Sequence, residues 1–261
     1  MRKSPTIQSV DKALNILELF TNHEELGITD IRDMLSYDKS VIYKIIITLE
    51  SHGFVKQNSD NKKYRLGPKA FQIVNQYLAF NGNINPLLRN AYPLLRELAQ
   101  ETMCTAQLGI IEKNEMEVLI VASVESPSLV RVSASLGEKM PIHASAVGKC
   151  MLAYGDDYLL KKVLSKPLKA VTPTTIINKK RFLEEINKVK SLGYALSDEE
   201  WGEGVIAIAC PVFNYLKSCI ASLLISFPAY KKEEEQFEME GLINSTKKYA
   251  YKLSQQIGYA G

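Results

Sequence analysis

Apolar residues recur at helical spacing along the first fifth of the chain. Val10, Ala13, Leu14, Leu17 and Phe20 form one stripe behind Ser9, a residue suited to cap a helix start. The polar break "NHEELG" follows, and Ile28, Ile31, Met34 and Leu35 then predict a short second helix, with Thr29 as its N-cap and Asp30 and Asp33 near its positive end. After the turn "SYD", a third helix is expected from about Lys39 to Ser51. Ile42, Ile45, Ile46 and Leu49 fall on one of its faces, and Lys39, Ser40, Tyr43 and Lys44 on the other. The first face is core and the second is presented to a partner. Gly53 is placed to end this helix in a left-handed conformation.

Beyond Gly53 the period shortens to two extended pieces, "FVKQ" and "KKYRLG", separated by the turn-rich "NSDN". Three helices followed by a polar-tipped hairpin describe a winged helix-turn-helix, whose second turn helix enters a DNA major groove and must carry donors there. Lys39, Ser40, Tyr43 and Lys44 meet that requirement, and Asn61, Lys62 and Lys63 at the hairpin tip reach for flanking phosphates. From Lys39 to Arg65 the chain carries Lys39, Lys44, Lys56, Lys62, Lys63 and Arg65 against only Glu50 and Asp60. The formal net charge of the whole chain is +3, so its excess sits in this segment.

The phrases "SVDKALNILELF", "KSVIYKIIITLESHGFV" and "KYRLG" resemble the N-terminal winged-helix domain of the IclR family of bacterial transcriptional regulators. The resemblance implies that Lys39, Ser40, Val41, Tyr43 and Lys44, with Asn61, Lys62, Lys63 and Arg65 of the hairpin, contact operator DNA. Val41 stands where the family usually has threonine, and Lys44 where it has arginine. Lysine keeps the charge but lacks the bidentate fork that reads guanine.

Pro68 opens a further helical stretch to about Phe80, with Phe71, Val74 and Leu78 on a stripe, and "NGNINP" reads as a domain boundary. The expected organisation is therefore a winged helix-turn-helix over 1–67, a linker helix over 68–82 and a second domain over 83–261. In the latter, helices are expected from about Pro86 to Thr102, at "ASAVGKCMLAY", at "KKRFLEEINKVKSLG" and, as one long terminal helix, at "KKEEEQFEMEGLINSTKKYAYKLSQQIG". Strands are expected at "TAQLGII", "EVLIVASV", "LVRVSAS", "VIAIACPVF" and "CIASLLISF". Adjacent strands with short turns, mixed with helices, indicate an α+β domain with a mainly antiparallel sheet.

Composition narrows the function classes. With 261 residues, 46% hydrophobic and 23% charged, the chain has globular character. The N-terminus "MRKSPTIQSV" has no apolar stretch after its basic residues, and no apolar run approaches the roughly 18 residues of a membrane span, so a cytoplasmic protein is expected. Cys104, Cys150, Cys210 and Cys219 lack metal-site or disulfide spacing and read as core filler. "HASAVGKC" contains Gly-Lys, but a phosphate-binding loop needs glycine where His143 stands and Ser or Thr where Cys150 stands. No cofactor, metal site or catalytic set is indicated, and His143 reads as a core or pocket-wall residue.

"MPIHASAVGKCMLAY" and "GYALSDEEWGEGVIAIACPVF" resemble the IclR-family effector domain, which extends the likeness from about Thr6 to Ala250. It implies a GAF/profilin-like α/β fold, a homodimer or homotetramer, and a small-molecule effector controlling a regulator of the repressor kind. By matching, Leu129, Val132 and Met140 form apolar wall, Ala146 and Val147 stand at a helix start, Ser197 and Asp198 lie in the acidic phrase, and Val205, Ala207, Leu224 and Ser226 lie on late strands. Independently of the likeness, the helix opening at "ASAVGK" offers free N–H groups that attract a small carboxylate, so an organic acid is the expected effector. Two rival readings stand beside this one: a constitutive DNA-binding protein whose second domain only oligomerises, and an enzyme with an accessory DNA-binding domain.

Overall fold

A computed structural model of the chain describes residues 6–70, 72–73, 84–112, 115–133, 136–234 and 237–261. The chain divides into two compact units, Met1–Ile84 and Asn85–Gly261. Phe71, Val74 and Leu78 of the expected linker helix lie outside the described residues, whereas Pro68–Ala70 are helical.

The first unit contains α1 (Gln8–Leu19), α2 (Ile28–Leu35), α3 (Lys39–Ser51) and the antiparallel strands β1 (Val55–Gln57) and β2 (Tyr64–Leu66). Ile16, Phe20, Ile31, Ile42, Ile45, Ile46 and Leu49 close a core with Leu26, Val55 and Tyr64. A bridge between Leu26 and Tyr64, with both N–H···O bonds made, fastens the loop before α2 to the wing. Both predicted helix caps are corrected. Ile7 takes the extended conformation before α1, so Ser9 lies inside the helix. Gly27 precedes α2, and its N–H donates to the Asp30 carboxylate at 2.9 Å, leaving Thr29 in the first turn. Val10 and Leu14 of the predicted stripe are exposed, because Ile16 and Phe20 supply the buried side of α1. Gly53 has φ +76 and ends α3 as its sequence position predicts.

The second unit is built on one antiparallel sheet of order β5-β4-β3-β8-β7-β6. Its strands are β3 (Thr105–Glu112), β4 (Glu117–Val124), β5 (Lys139–Pro141), β6 (Ala195–Asp198), β7 (Val205–Phe213) and β8 (Cys219–Pro228); its helices are α4 (Ile84–Thr102), α5 (Ala146–Tyr154), α6 (Asp157–Leu164), α7 (Lys179–Leu192) and α8 (Met239–Gln256). Strand alternation divides the apolar residues between two faces. Val118, Ile120, Ala195, Ala209 and Leu224 pack with Val147, Cys150 and Met151 of α5 and with Phe182, Ile186 and Val189 of α7. Ile208, Leu223 and Ile225, fully buried, alternate with these and point to the opposite face. There α8 packs on β7 and β8, and it is fastened to α4 by Ser245, Lys248 and Tyr249, which all donate to Glu101.

Two predicted elements differ. "LVRVSAS" is not a strand over residues 129–133: the place beside β4 is taken by the short β5, and Val132 O instead accepts from Thr105 Oγ1 at 2.6 Å. The long terminal helix begins only at Met239. Residues Ala229–Glu233 form a 3-10 turn in which Lys232 is drawn to Asp198 at 2.7 Å. β5, α6 and β6 were not anticipated.

Candidate DNA-binding surface and ligand pocket

Lys39, Ser40, Tyr43 and Lys44 are all exposed on the outer face of α3, opposite Ile42, Ile45, Ile46 and Leu49, and Tyr43 has 54% of its surface open to solvent. Val41 is half-buried at the edge of that face. The apolar face anchors the helix and leaves the donor face open to solvent. In the wing, Asn61, Lys62, Lys63 and Arg65 are exposed but unequal. Asn61 donates to Glu25 at 2.6 Å and accepts from Lys63 N, so its side chain shapes the turn; hydrogen bonds from Asn58 and Asn61 hold the Glu25 carboxyl below the usual range. Lys63 lies 3.5 Å from Asp30. Lys62 stands at the tip with φ +59.

In the second unit a cavity of about 20 Å³ is lined by Met140, Ser145, Ala146, Val147, Ser197, Trp201, Val205, Ala207 and Leu224. Seven residues expected from the sequence therefore converge: Met140, Ala146, Val147, Ser197, Val205, Ala207 and Leu224. Four others do not line it. Leu129 is 98% exposed. Val132 is half-buried and engaged through its carbonyl. Asp198 turns to Lys232. Ser226 shares the cross-strand row of Ala207 and Ser197 but donates to Gln107 Oε1 at 3.4 Å. Ser145 and Trp201 were missed; Ser145 was legible as an N-cap residue ahead of α5, whereas nothing in the sequence signals that Trp201 reaches this cavity.

The chemistry of the cavity follows from α5. Ser145 caps the helix, its Oγ accepting from Gly148 N at 3.1 Å, and Lys149 N bonds back to Ser145 O at 3.0 Å. The N–H groups of Ala146 and Val147 precede these bonds and are the open donors of the helix start. No charged side chain lines the cavity, so the helix end is its source of positive potential. The volume equals little more than one water, so an organic ligand enters only as the walls give way. Hollows of 340 Å³ beside Glu101 and Lys231 and of 230 Å³ beneath His143 are larger, but charged side chains of both signs rim each. Among the described residues, the cavity at α5 is where a buried wall and helix-start donors meet.

Behind the cavity, Lys149 is fully buried with its Nζ 2.5 Å from Glu200 Oε1 and 3.6 Å from Glu185 Oε1. Burial pushes the Glu200 carboxyl up and the Lys149 charge pulls it back. The Thr172 and Thr175 hydroxyls donate to the Glu199 and Glu200 carbonyls, both at 2.7 Å, and Ser197 Oγ donates to Ala144 O at 2.9 Å. The segment carrying Trp201 is thereby held to α5. His143 is a wall residue, Nε2 2.8 Å from Lys169 O and its ring edge-on to Phe182. Desolvation raises the thiols of buried Cys150, well above its ordinary value, and of buried Cys210 and half-buried Cys219, to about 12, which leaves them protonated and unsuited to nucleophilic attack.

Comparisons with known proteins agree with this geometry. Residues 9–59 match the IclR helix-turn-helix domain and residues 83–255 the bacterial transcriptional regulator IclR C-terminal domain. The HTH-type transcriptional regulator XynR of Escherichia coli (strain K12) is 31% identical over 257 residues, covering 98% of this chain and 99% of that protein. The transcriptional repressor IclR of the same organism is 27% identical over 224 residues, 85% of this chain and 80% of that protein. The crystal structure of the Thermotoga maritima IclR superposes with a TM-score of 0.78 at 26% identity, covering 97% of this chain and all of the other. These relatives are transcriptional regulators, not enzymes. The chain belongs to the IclR family of bacterial transcriptional regulators, with an N-terminal helix-turn-helix for DNA and a C-terminal domain of antiparallel sheet and helices.

Proposed function

We propose that this protein is a cytoplasmic, sequence-specific repressor whose DNA affinity is set by a small organic acid bound in the second unit. The observation that carries the reading is the pairing of an exposed donor face on α3 with a buried, uncharged cavity at the open N–H groups of α5. Lys39, Ser40, Val41 and Tyr43 contact the major groove, Lys44 a backbone phosphate beside it, and Lys62 and Arg65 the flanking phosphates. A homodimer or homotetramer presents two recognition helices to a pseudo-palindromic operator. Because the cavity is nearly filled, a ligand binds by displacing its wall, and the displaced arrangement is the one it favours; DNA affinity shifts by that difference in affinity. The repressive sign is supported by the name of the E. coli relative.

A fluorescence-anisotropy titration of the full chain against DNA from upstream of its own gene and against a scrambled duplex, at two salt concentrations, tests this. Tight binding to the first duplex only, weakened by salt and altered by small carboxylates, is the expected result. Lys44→Ala should weaken binding and lower the slope of log affinity against log salt by about one per bound recognition helix, since each phosphate neutralised contributes about 0.9. An unchanged slope would remove Lys44 from the phosphate contacts. Equal, weak binding to both duplexes with and without carboxylates would overturn the proposal.

A further inference from the structure

Two buried polar atoms on the pocket face of the sheet have no hydrogen-bond partner: Gln107 Nε2 and Ser123 Oγ. They are neighbours. Gln107 of β3 stands opposite Ser123 of β4 on one side and opposite Leu224 of β8 on the other, so the three side chains leave the sheet on one face. Leu224 is a wall of the cavity. Gln107 is 2% exposed, and its other amide atom, Oε1, is occupied by Ser226 Oγ. The start of α5 sits over the same strand: a Cβ on Gly109, two residues from Gln107, would come within 2.8 Å of Val147 Cγ1. The open N–H groups of Ala146 and Val147 and the unpaired donors of Gln107 and Ser123 therefore border one stretch of β3, with apolar Leu224 and Val147 between them. Buried donors left unpaired cost free energy, which a bound acceptor recovers.

We propose that Gln107 and Ser123 are the inner, polar end of the ligand pocket, and that the ligand is a small carboxylate bearing a second oxygen acceptor a few atoms from its carboxyl group. The carboxylate takes the α5 donors, and the second oxygen accepts from Gln107 Nε2–H and Ser123 Oγ–H. This rests on the pocket reading above and deepens it, making Gln107 a specificity determinant.

The test uses the full-length protein and a matched pair of probes, pentanoate and 4-oxopentanoate, which differ by one ketone oxygen, with affinities read by isothermal titration. The wild type should bind 4-oxopentanoate at least about tenfold more tightly than pentanoate, the net value of two buried hydrogen bonds to the ketone oxygen. Gln107→Leu should remove most of that preference while leaving the melting temperature of the free protein close to that of the wild type, because it deletes an unpaired donor but also the long-range acceptor of Ser226 Oγ. Gln107→Met, unbranched like glutamine, should do the same and guards against a packing defect. Equal wild-type affinities for the two acids, or a preference that survives both replacements, would overturn the proposal while leaving carboxylate binding intact. Binding of neither acid would overturn the pocket reading itself.

Discussion

Lys149→Met should destabilise the second unit by about 3–5 kcal/mol, the cost of leaving one member of a buried ion pair without its partner. Lys149 has no exposed surface, and Glu200, its partner at 2.5 Å, is 6% exposed. The methionine fills most of the lysine's volume, so the loss is electrostatic rather than a cavity. The sign of its pH dependence follows from Glu200. Burial already raises this carboxyl above 4.5, and losing Lys149 removes what pulls it back, so it rises further. A carboxyl whose folded value lies above its unfolded one binds its proton more tightly in the native state. Its contribution is fully present below the unfolded value and is lost as pH rises through the folded one. The penalty of Lys149→Met should therefore be smallest near pH 4.5 and grow toward neutrality. Urea unfolding of both proteins at acid and neutral pH measures it, and a penalty independent of pH would mean that the pair is not its source. Lys149→Met with Glu200→Leu should recover much of the loss, because apolar groups replace the close pair and leave only the partly exposed Glu185 without its partner.

Gly148→Ala should cost about 3 kcal/mol, roughly 6–12 °C of melting temperature for a unit of this size. A Cβ at Gly148 would lie 1.9 Å from the carbonyl oxygen of Ile142, which is backbone and cannot rotate aside. The first turn of α5 would have to move by more than 1 Å, a shift inferred from the ordinary C···O contact of about 3.3 Å. Ala146 and Val147 would move with it, so carboxylate affinity should fall together with stability. Gly202→Ala is the control: only Val205 Cγ2 comes within 4.0 Å, and its melting temperature should stay close to that of the wild type. Differential scanning calorimetry of the two variants separates the outcomes, and equal melting temperatures would refute the close-approach argument.

The exposed polar face of α3 was more legible in sequence than the cavity wall, and the reason is the range of the interactions. On α3 the division between Ile42, Ile45, Ile46, Leu49 and the polar Lys39, Ser40, Tyr43, Lys44 depends on helical period alone, and burial follows that division residue by residue. Asn61 is the exception in the wing, since its bond to Glu25 spans 36 positions. The second unit's β3, β4, β7 and β8 were visible as apolar runs, but β5 and β6, of three and four residues, are too short to show a period. The cavity wall came in part from family likeness. Trp201 entered only with the fold.

By itself the sequence determined the local architecture: the period of each main helix, the basic excess on α3 and the wing, the opening of a helix at α5, and through its motifs the family. Tertiary structure alone decided which side chains meet. It took Leu129 and Asp198 out of the cavity wall, brought Ser145 and Trp201 into it, joined Lys149 to Glu200 across 51 positions, and set Gln107 beside Ser123 with no protein partner for Gln107 Nε2 or Ser123 Oγ. The physical reason is that period and capping are properties of neighbours in the chain. Burial of a charge, or of an unpaired donor, depends on sheet register, which brings distant residues onto one face.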